Sequence, residues 1–301
     1  MNIPRFGAML LSIAVCSFAI NAQLLWKVSG NGLEKPSFLF GTHHVAPASM
    51  IDSIAGFDEA INTCDVVYGE VVKSDLTSPE TQAKTLKLAT APADSTLSKV
   101  LDTKCYARLD SLFKASTAGM VSAANMEPFT PAFVSTQIAM LLTINEFKGF
   151  NPAQQLDITI LQKAENLHKQ LKGFETADFQ INLLFGEPIS EQAHSLTKLL
   201  CHIDESKTTT RNLASAYKSQ DLEKIGKVFI EDLSSTGSTP EEIKRETDRL
   251  VNNRNDAWIE VLKTEMHKQS IFVSVGAGHL VNDKGLIAQL RNLGYTVTPM
   301  K

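Results

Sequence analysis

Phe38-Leu39-Phe40-Gly41-Thr42-His43-His44 and Phe272-Val273-Ser274-Val275-Gly276-Ala277-Gly278-His279 are the two stretches whose reading decides the fold. Each is a short apolar run, then a glycine turn, then a histidine three residues after the first glycine. Such a run, stopped abruptly by glycine, predicts a buried strand ending at a turn. Glycine permits the tight turn and lets backbone approach a ligand closely. In open α/β sheets ligands bind beyond the carboxyl ends of strands, so both histidines are expected there, delivered from opposite ends of the chain. One G-x-x-H is a weak signal, because a histidine at a turn ordinarily bonds to nearby backbone. The matched pair makes His44 and His279 candidate site residues.

Outward from these runs, Leu24 to Val28 alternates like a strand, with Trp26 as an anchor, and Ser29 to Lys35 is a Gly/Asn turn. Ile54, Phe57 and Ile61 mark a helical stripe within Ile51 to Thr63, and Asp65 to Val71 reads as a second strand. Strand, helix, strand is a βαβ unit with parallel strands. Ser78 to about Phe147 reads as mostly helical, interrupted near Pro92, Pro128 and Pro131. Asn151-Pro152 predicts a helix to about Leu167, followed by a strand over Lys169 to Glu175. Thr176 caps the next helix and Pro188 restarts another. Thr239-Pro240-Glu241-Glu242 is a capping box opening a helix to about His267. A short helix through Leu286 and Leu290 ends at Gly294, and Tyr295 to Thr298 is a last strand. The expected fold is α/β: a central mixed, largely parallel sheet built from both chain ends, with a large helical insertion. Residues 23–301 are expected to form a single domain.

The chain of 301 residues carries a net charge of -4 and no basic block. Nucleic-acid binding, which needs clustered cations to displace counterions, is not expected. Arg5, the apolar run Phe6 to Ile20 and the small Ala22 read as a signal peptide over residues 1–22, too short for a spanning helix. The expected location is periplasmic or secreted, without a membrane span after signal removal. Lipidation at Cys16 is a rival reading, although Val15 is large for a lipobox. Cys64, Cys105 and Cys201 remain, and their spacing fits no zinc motif. One disulfide with one free thiol, or three buried small hydrophobes, are the open readings.

Carboxylates recur at comparable places. Glu70 ends the second strand and Glu175 ends the third. Each is either a solvated strand end or part of the crevice with the histidines. Two imidazoles and a carboxylate can bind a divalent cation, or serve as acid and base without one. Arg254 shares the apolar side of its helix with Leu250, Val251 and Trp258. It is therefore either a snorkelling arginine or one paired with a carboxylate such as Glu70, Glu175 or Asp157. Asp157 is a helix-dipole carboxylate or a member of that set. His43 should point away from its neighbour. His168, His194, His202 and His267 lie in helices or at their ends, where surface or cap roles are the default.

Leu25-Trp26-Lys27-Val28, Phe38 to Val45, Asp65 to Glu70, Gln155-Leu156-Asp157, Gly173-Phe174-Glu175-Thr176 with Gln180, Asn253-Arg254-Asn255 with Trp258, and Val275 to Leu280 together resemble the TraB/GumN family. That family is related to the Tiki metalloproteases. The resemblance implies an α/β core of the erythromycin-esterase/ChaN-like type, with both G-x-x-H motifs and an acidic residue in one cleft. It makes His44, Glu70 and His279 the leading candidates, with Arg254, Glu175, Asp157 and Gln180 behind them. His43 fills a slot that is often apolar in the family, and Phe174 replaces the usual leucine. The implied activity is a divalent-metal-dependent peptidase, with manganese or cobalt held by His44, Glu70 and His279 and activating a water. Glu70 or Glu175 would be the base, and Arg254 would neutralise an oxyanion or orient a carboxylate. The alternatives are a metal-independent esterase-like hydrolase and a haem- or metal-binding protein. The expected partner is a peptide or small-molecule substrate, and the sequence leaves oligomeric state open.

Overall fold

The computed structural model describes residues 23–235 and 237–300. The expected signal segment 1–22, including Cys16, lies outside the described residues.

Six strands form one sheet: β1 (Leu25–Ser29), β2 (Ser37–Thr42), β3 (Val66–Gly69), β4 (Gln170–Gly173), β5 (Ile271–Gly276) and β6 (Thr296–Pro299). Their order is β4-β3-β5-β2-β1-β6. The neighbours β4, β3, β5 and β2 run parallel. β1 is antiparallel to both β2 and β6. This is the mixed, largely parallel sheet drawn from both chain ends that the sequence predicts. β2 and β3 do run the same way, but they are not neighbours, because β5 from the far end of the chain lies between them. The physical reason is composition. β5 and β2 are almost wholly buried and largely apolar, which suits central positions covered on both faces. Gln170 and Lys172 put β4 at an edge.

One short helix, α1 (Phe57–Thr63), links β2 to β3. Between β3 and β4 run α2 (Lys73–Leu76), α3 (Pro79–Ala89), α4 (Leu97–Val100), α5 (Thr103–Ser116), α6 (Ala123–Met126), α7 (Pro131–Ile144) and α8 (Leu156–Asn166). Between β4 and β5 follow α9 (Ala177–Phe185), α10 (Ile189–Cys201), α11 (Ile203–Lys218), α12 (Leu222–Ser235), α13 (Pro240–Thr247) and α14 (Asn253–Glu265). α15 (Leu286–Asn292) leads to β6. The helical insertion is thus interrupted once, by β4. Its own apolar cluster joins Leu109 and Phe113 of α5 to Val134 and Ile138 of α7 and Leu196 of α10. The main core wraps the sheet, where Phe57 meets the rings of Phe40 and Phe272 edge-on at 5.1 and 5.3 Å.

Four local departures from the sequence reading have physical causes. β2 continues through Gly41 to Thr42, held by parallel pairing to Val275 and Gly276. The helix expected from Ile51 is split into a 3-10 turn and α1, because Ile54 is extended and Gly56 adopts φ +74°. The stripe Ile54, Phe57 and Ile61 is buried all the same. α8 starts at Leu156 rather than near Pro152, since Gln155 is drawn into a bridge with Pro47. The capping box at Thr239 forms as expected, but its helix passes through a π turn at Asp248–Asn252 before α14. Cys64 and Cys105 are buried, whereas Cys201 is exposed, and all three are free thiols.

Candidate functional site

The carboxyl ends of four adjacent parallel strands deliver four polar side chains in strand order. Glu175 follows β4 by two residues, Glu70 follows β3 directly, His279 follows β5 by three and His44 follows β2 by two. The glycines earn their place by contact. A Cβ on Gly41 would lie 3.1 Å from both Cα and Cβ of Ala277, so the first motif's glycine is where the second motif's turn packs.

Arg254 lies at the middle of the set and is buried (8% exposed). Its Nε and Nη2 donate to the two oxygens of Glu175 at 2.7 and 2.8 Å, a bidentate fork. Nη2 also donates to Glu70 Oε2 at 2.6 Å, and Nη1 donates to the Leu250 carbonyl at 2.9 Å. That last carbonyl lies inside the π segment Asp248–Asn252, which ends two residues before Arg254, and such segments recur at functional sites. Trp258 Nε1 and Gln180 Nε2 complete the shell of Glu175 at 3.1 and 3.3 Å. Gln180 Nε2 also donates to Glu70 Oε2 at 2.9 Å, and the backbone N–H of Gly276 donates to Glu70 Oε1 at 2.9 Å. Burial pushes the Glu70 carboxyl up, but His279, Arg254 and His44 outweigh it and hold it at about 2.

His279 is buried between Trp258, whose ring centroid is 4.3 Å away, and the Arg254 guanidinium. Asn255 donates from Nδ2 to the carbonyls of His279 and Lys284, so its Oδ1 is the acceptor for His279 Nδ1 at 2.7 Å. That assignment puts the imidazole proton on Nδ1 and leaves Nε2 to accept from Arg254 Nη1 at 3.0 Å. Burial, reinforced by the charges of Arg254 and His44 against the pull of Glu70, lowers the His279 pKa to about 4. Near neutrality it is an uncharged ring with both nitrogens engaged.

His44 is the opposite case. Its side chain is 71% exposed, and Nδ1 lies 2.9 Å from Asp157 Oδ2. The Thr42 hydroxyl donates to the other Asp157 oxygen. The charge of Asp157 and its hydrogen bond raise the His44 pKa to about 9, against desolvation. Asp157 itself is lowered despite burial, through the His44 charge and hydrogen bonds from His44 and Thr42. His43 does point elsewhere: its ring lies 5.0 Å from Phe147 and 5.3 Å from Tyr217. Burial and the neighbouring His44 lower its pKa to about 4.

His44, Glu70, Asp157 and Gln180 line one small cavity of about 110 Å³, together with Ser274. His279 reaches the same carboxylate from the other side, with Nε2 3.8 Å from Glu70 Oε1. The two histidines therefore converge on Glu70. A larger groove of about 1360 Å³ opens against the Arg254–Glu175 pair, walled by Phe174, Phe179, Leu183, Trp258 and Val261.

The expected metal triad of His44, Glu70 and His279 does not form as a donor set. Among the described residues no group of three His, Cys, Asp or Glu side chains is placed to hold an ion. The cause is Arg254, whose guanidinium occupies the lone pair of His279 Nε2 and one oxygen of Glu70. A cation there would meet another cation. The sequence also under-read Thr42, Asn255 and Ser274. Thr42 lies inside the first motif, and Asn255 faces inward beside Arg254 at 0% exposure, so position was the available signal for both. Ser274 sits in an otherwise apolar strand, where a hydroxyl is out of place.

The sequence profile of the TraB/PrgY/gumN family matches residues 24–299. Among curated proteins the chain is similar to Metalloprotease TIKI2 of Danio rerio, 26% identical over 91% of this chain and 60% of that protein. Metalloprotease TIKI1 of Homo sapiens and of Xenopus tropicalis are each 25% identical, over 91% of this chain and 61% of theirs. The chain thus spans about three fifths of the length of these relatives. No solved structure matches it significantly.

Proposed function

The chain belongs to the TraB/PrgY/gumN family, and from that premise we propose that the cavity at the ends of β2, β3 and β5 is the active site of a hydrolase acting on peptide bonds. Peptide chemistry is supported by relatives that carry the name metalloprotease. The observation that carries a hydrolytic reading is the 2.9 Å contact of His44 Nδ1 with Asp157 Oδ2 inside a cavity that Glu70 also lines.

The roles follow from which lone pairs and protons remain. Asp157 fixes the His44 ring and keeps it protonated, so Nε2 carries a proton for a leaving amine. Glu175 has both oxygens doubly engaged and serves to hold Arg254. Glu70 Oε1 takes one backbone N–H and retains acceptor capacity, so Glu70 is the base that receives a proton from the attacking water. Arg254 orients both carboxylates. The larger groove, with its aromatic wall, seats the substrate beside the reacting bond. In this reading the mature domain, residues 23–301, is exported to the periplasm or beyond, with a peptide or small molecule as its partner. No helix among the described residues is long and apolar enough to cross a membrane.

A second reading, a manganese- or cobalt-dependent peptidase, is favoured by the relatives' names. It requires Arg254 to leave Glu70 and His279 before those groups could hold an ion. Cleavage of a fluorogenic peptide library by the purified protein, with EDTA and then with added Mn²⁺ or Co²⁺, separates the two. Turnover that persists in EDTA supports the His44–Glu70 chemistry. Turnover that vanishes and returns with the ion transfers the role to a metal. A chain that cleaves nothing under either condition is not a peptidase.

A further inference from the structure

Ser274 Oγ is the one buried side-chain oxygen or nitrogen among the described residues that lacks a hydrogen-bond partner. The residue is 4% exposed, on β5, paired across the sheet with Phe40 on one side and Gly69 on the other. Alternation along β5 puts its side chain on the face of Phe272, beneath α8. Leaving a hydroxyl buried and unpaired carries a desolvation penalty, and an alanine would avoid it. Such a group is expected to have a partner that is not part of the chain.

The surroundings say what that partner is. Ser274 lines the cavity of about 110 Å³ with His44, Glu70, Asp157 and Gln180. That is room for several water molecules at roughly 30 Å³ each, and the walls offer the polar contacts a buried water needs. Gly69 leaves the approach from β3 clear of any side chain, and its missing Cβ would otherwise press on Leu161 and the Val71 carbonyl at 3.4 and 3.2 Å.

We propose that Ser274 anchors the nucleophilic water of the reaction, which makes it a further catalytic residue; the assignment rests on the hydrolytic reading of the same cavity. The hydroxyl of Ser274 and Glu70 Oε1 hold the water between them. On attack the water oxygen bonds to the substrate carbonyl carbon, its proton passes to Glu70, and the carbonyl π pair moves to oxygen. When the tetrahedral species collapses, the C–N bond breaks and His44 Nε2 gives its proton to the leaving amine. Glu70 then returns a proton to His44 through the cavity, so one water is consumed and one acid and one amine are released.

Two measurements test this, and they fail separately. The first is a crystal structure of the wild type and of Ser274→Ala at a resolution that shows ordered water. A water within about 2.6–3.2 Å of both Ser274 Oγ and Glu70 Oε1, lost or displaced in the variant, is expected. A wild-type Ser274 with no ordered water in reach overturns the proposal whether or not the protein is active. The second is peptide turnover by Ser274→Ala and Ser274→Thr. Loss of one orienting hydrogen bond predicts a roughly tenfold drop in kcat with KM held for alanine, and recovery for threonine, which restores the hydroxyl. The melting temperature of Ser274→Ala should hold or rise, which a structural role would not allow. Unchanged kcat in Ser274→Ala overturns the proposal. A covalent fluorophosphonate adduct on Ser274 also overturns it, because the serine itself would then be the nucleophile. A wild type with the ordered water but no turnover leaves the water site standing and removes the hydrolytic reading.

Discussion

Arg254 Nη1 lies 3.0 Å from His279 Nε2, so the second motif histidine faces a guanidinium rather than open space. The same guanidinium reaches Glu70 and Glu175; burial is the main reason His279 is neutral, with Arg254 adding to it, and Arg254 joins His279 and His44 in holding Glu70 ionised against burial. His279 is accordingly a fixed acceptor that helps aim Arg254, and His44 is the histidine with a proton to give.

Removing Arg254 leaves two largely buried carboxylates without their cation. Arg254→Ala is expected to cost roughly 3–5 kcal/mol of stability, read as a shift in the urea midpoint. Arg254→Lys keeps the charge but not the bidentate fork, so it should recover part of that stability and little of the activity. Full stability in Arg254→Ala would mean the network is not what holds Glu70 and Glu175.

The His44–Asp157 pair predicts a pH dependence with a definite sign. His44 is raised from 6.5 to about 9, so general-acid activity should persist through neutrality and fall as pH rises through about 9. The pair's contribution to stability runs the same way: complete below 6.5 and lost as pH rises through the folded-state value. Asp157→Asn removes the charge that raises the pKa, and the alkaline limb of kcat should move down towards 6.5. A limb that stays in place assigns it to another group.

Glu265 ties the edge strand to the helix that carries Arg254. It accepts from Lys172 at 2.8 Å and from Tyr68 at 3.1 Å. Hydrogen bonds from Lys172 and Lys268 hold its pKa at about 2 against burial. That stabilisation is present above about 4.5 and lost as pH falls through about 2. Glu265→Gln should therefore weaken the protein by roughly 1–3 kcal/mol at pH 7. The gap between the two proteins in denaturant melts should close on acidification.

Gly41→Ala would press a methyl against Ala277 at 3.1 Å, where the two motif turns meet. Overpacking of this kind costs roughly 1–3 kcal/mol. Because the turn carries His279, activity should fall further than stability alone accounts for, measured at a temperature where the variant is fully folded.

Much of this arrangement was legible in the residues themselves. The two G-x-x-H turns, the carboxylates at strand ends and the inward-facing Arg254 all follow from periodicity and from the cost of burying charge. Strand order was less accessible: β5 enters between β2 and β3 because of its apolar character on both faces, which a local βαβ reading does not register. The arrangement around the expected metal triad was less accessible for a related reason. Residue type and placement made His44, Glu70 and His279 plausible donors, but the π turn at Asp248–Asn252 and the reach of Arg254 are tertiary facts that decide which lone pairs stay open. Ser274 does not stand out in its strand, since a serine among valines gives no periodic signal.

The most direct measurement of the central idea is turnover of a fluorogenic peptide library by the wild type and by His44→Ala, with circular dichroism confirming that both are folded. His44 is largely exposed, so its truncation should leave the melting temperature nearly unchanged. Loss of the proton donor should lower kcat by roughly a hundredfold or more. Wild-type turnover that His44→Ala retains in full would contradict the placement of the reaction in this cavity.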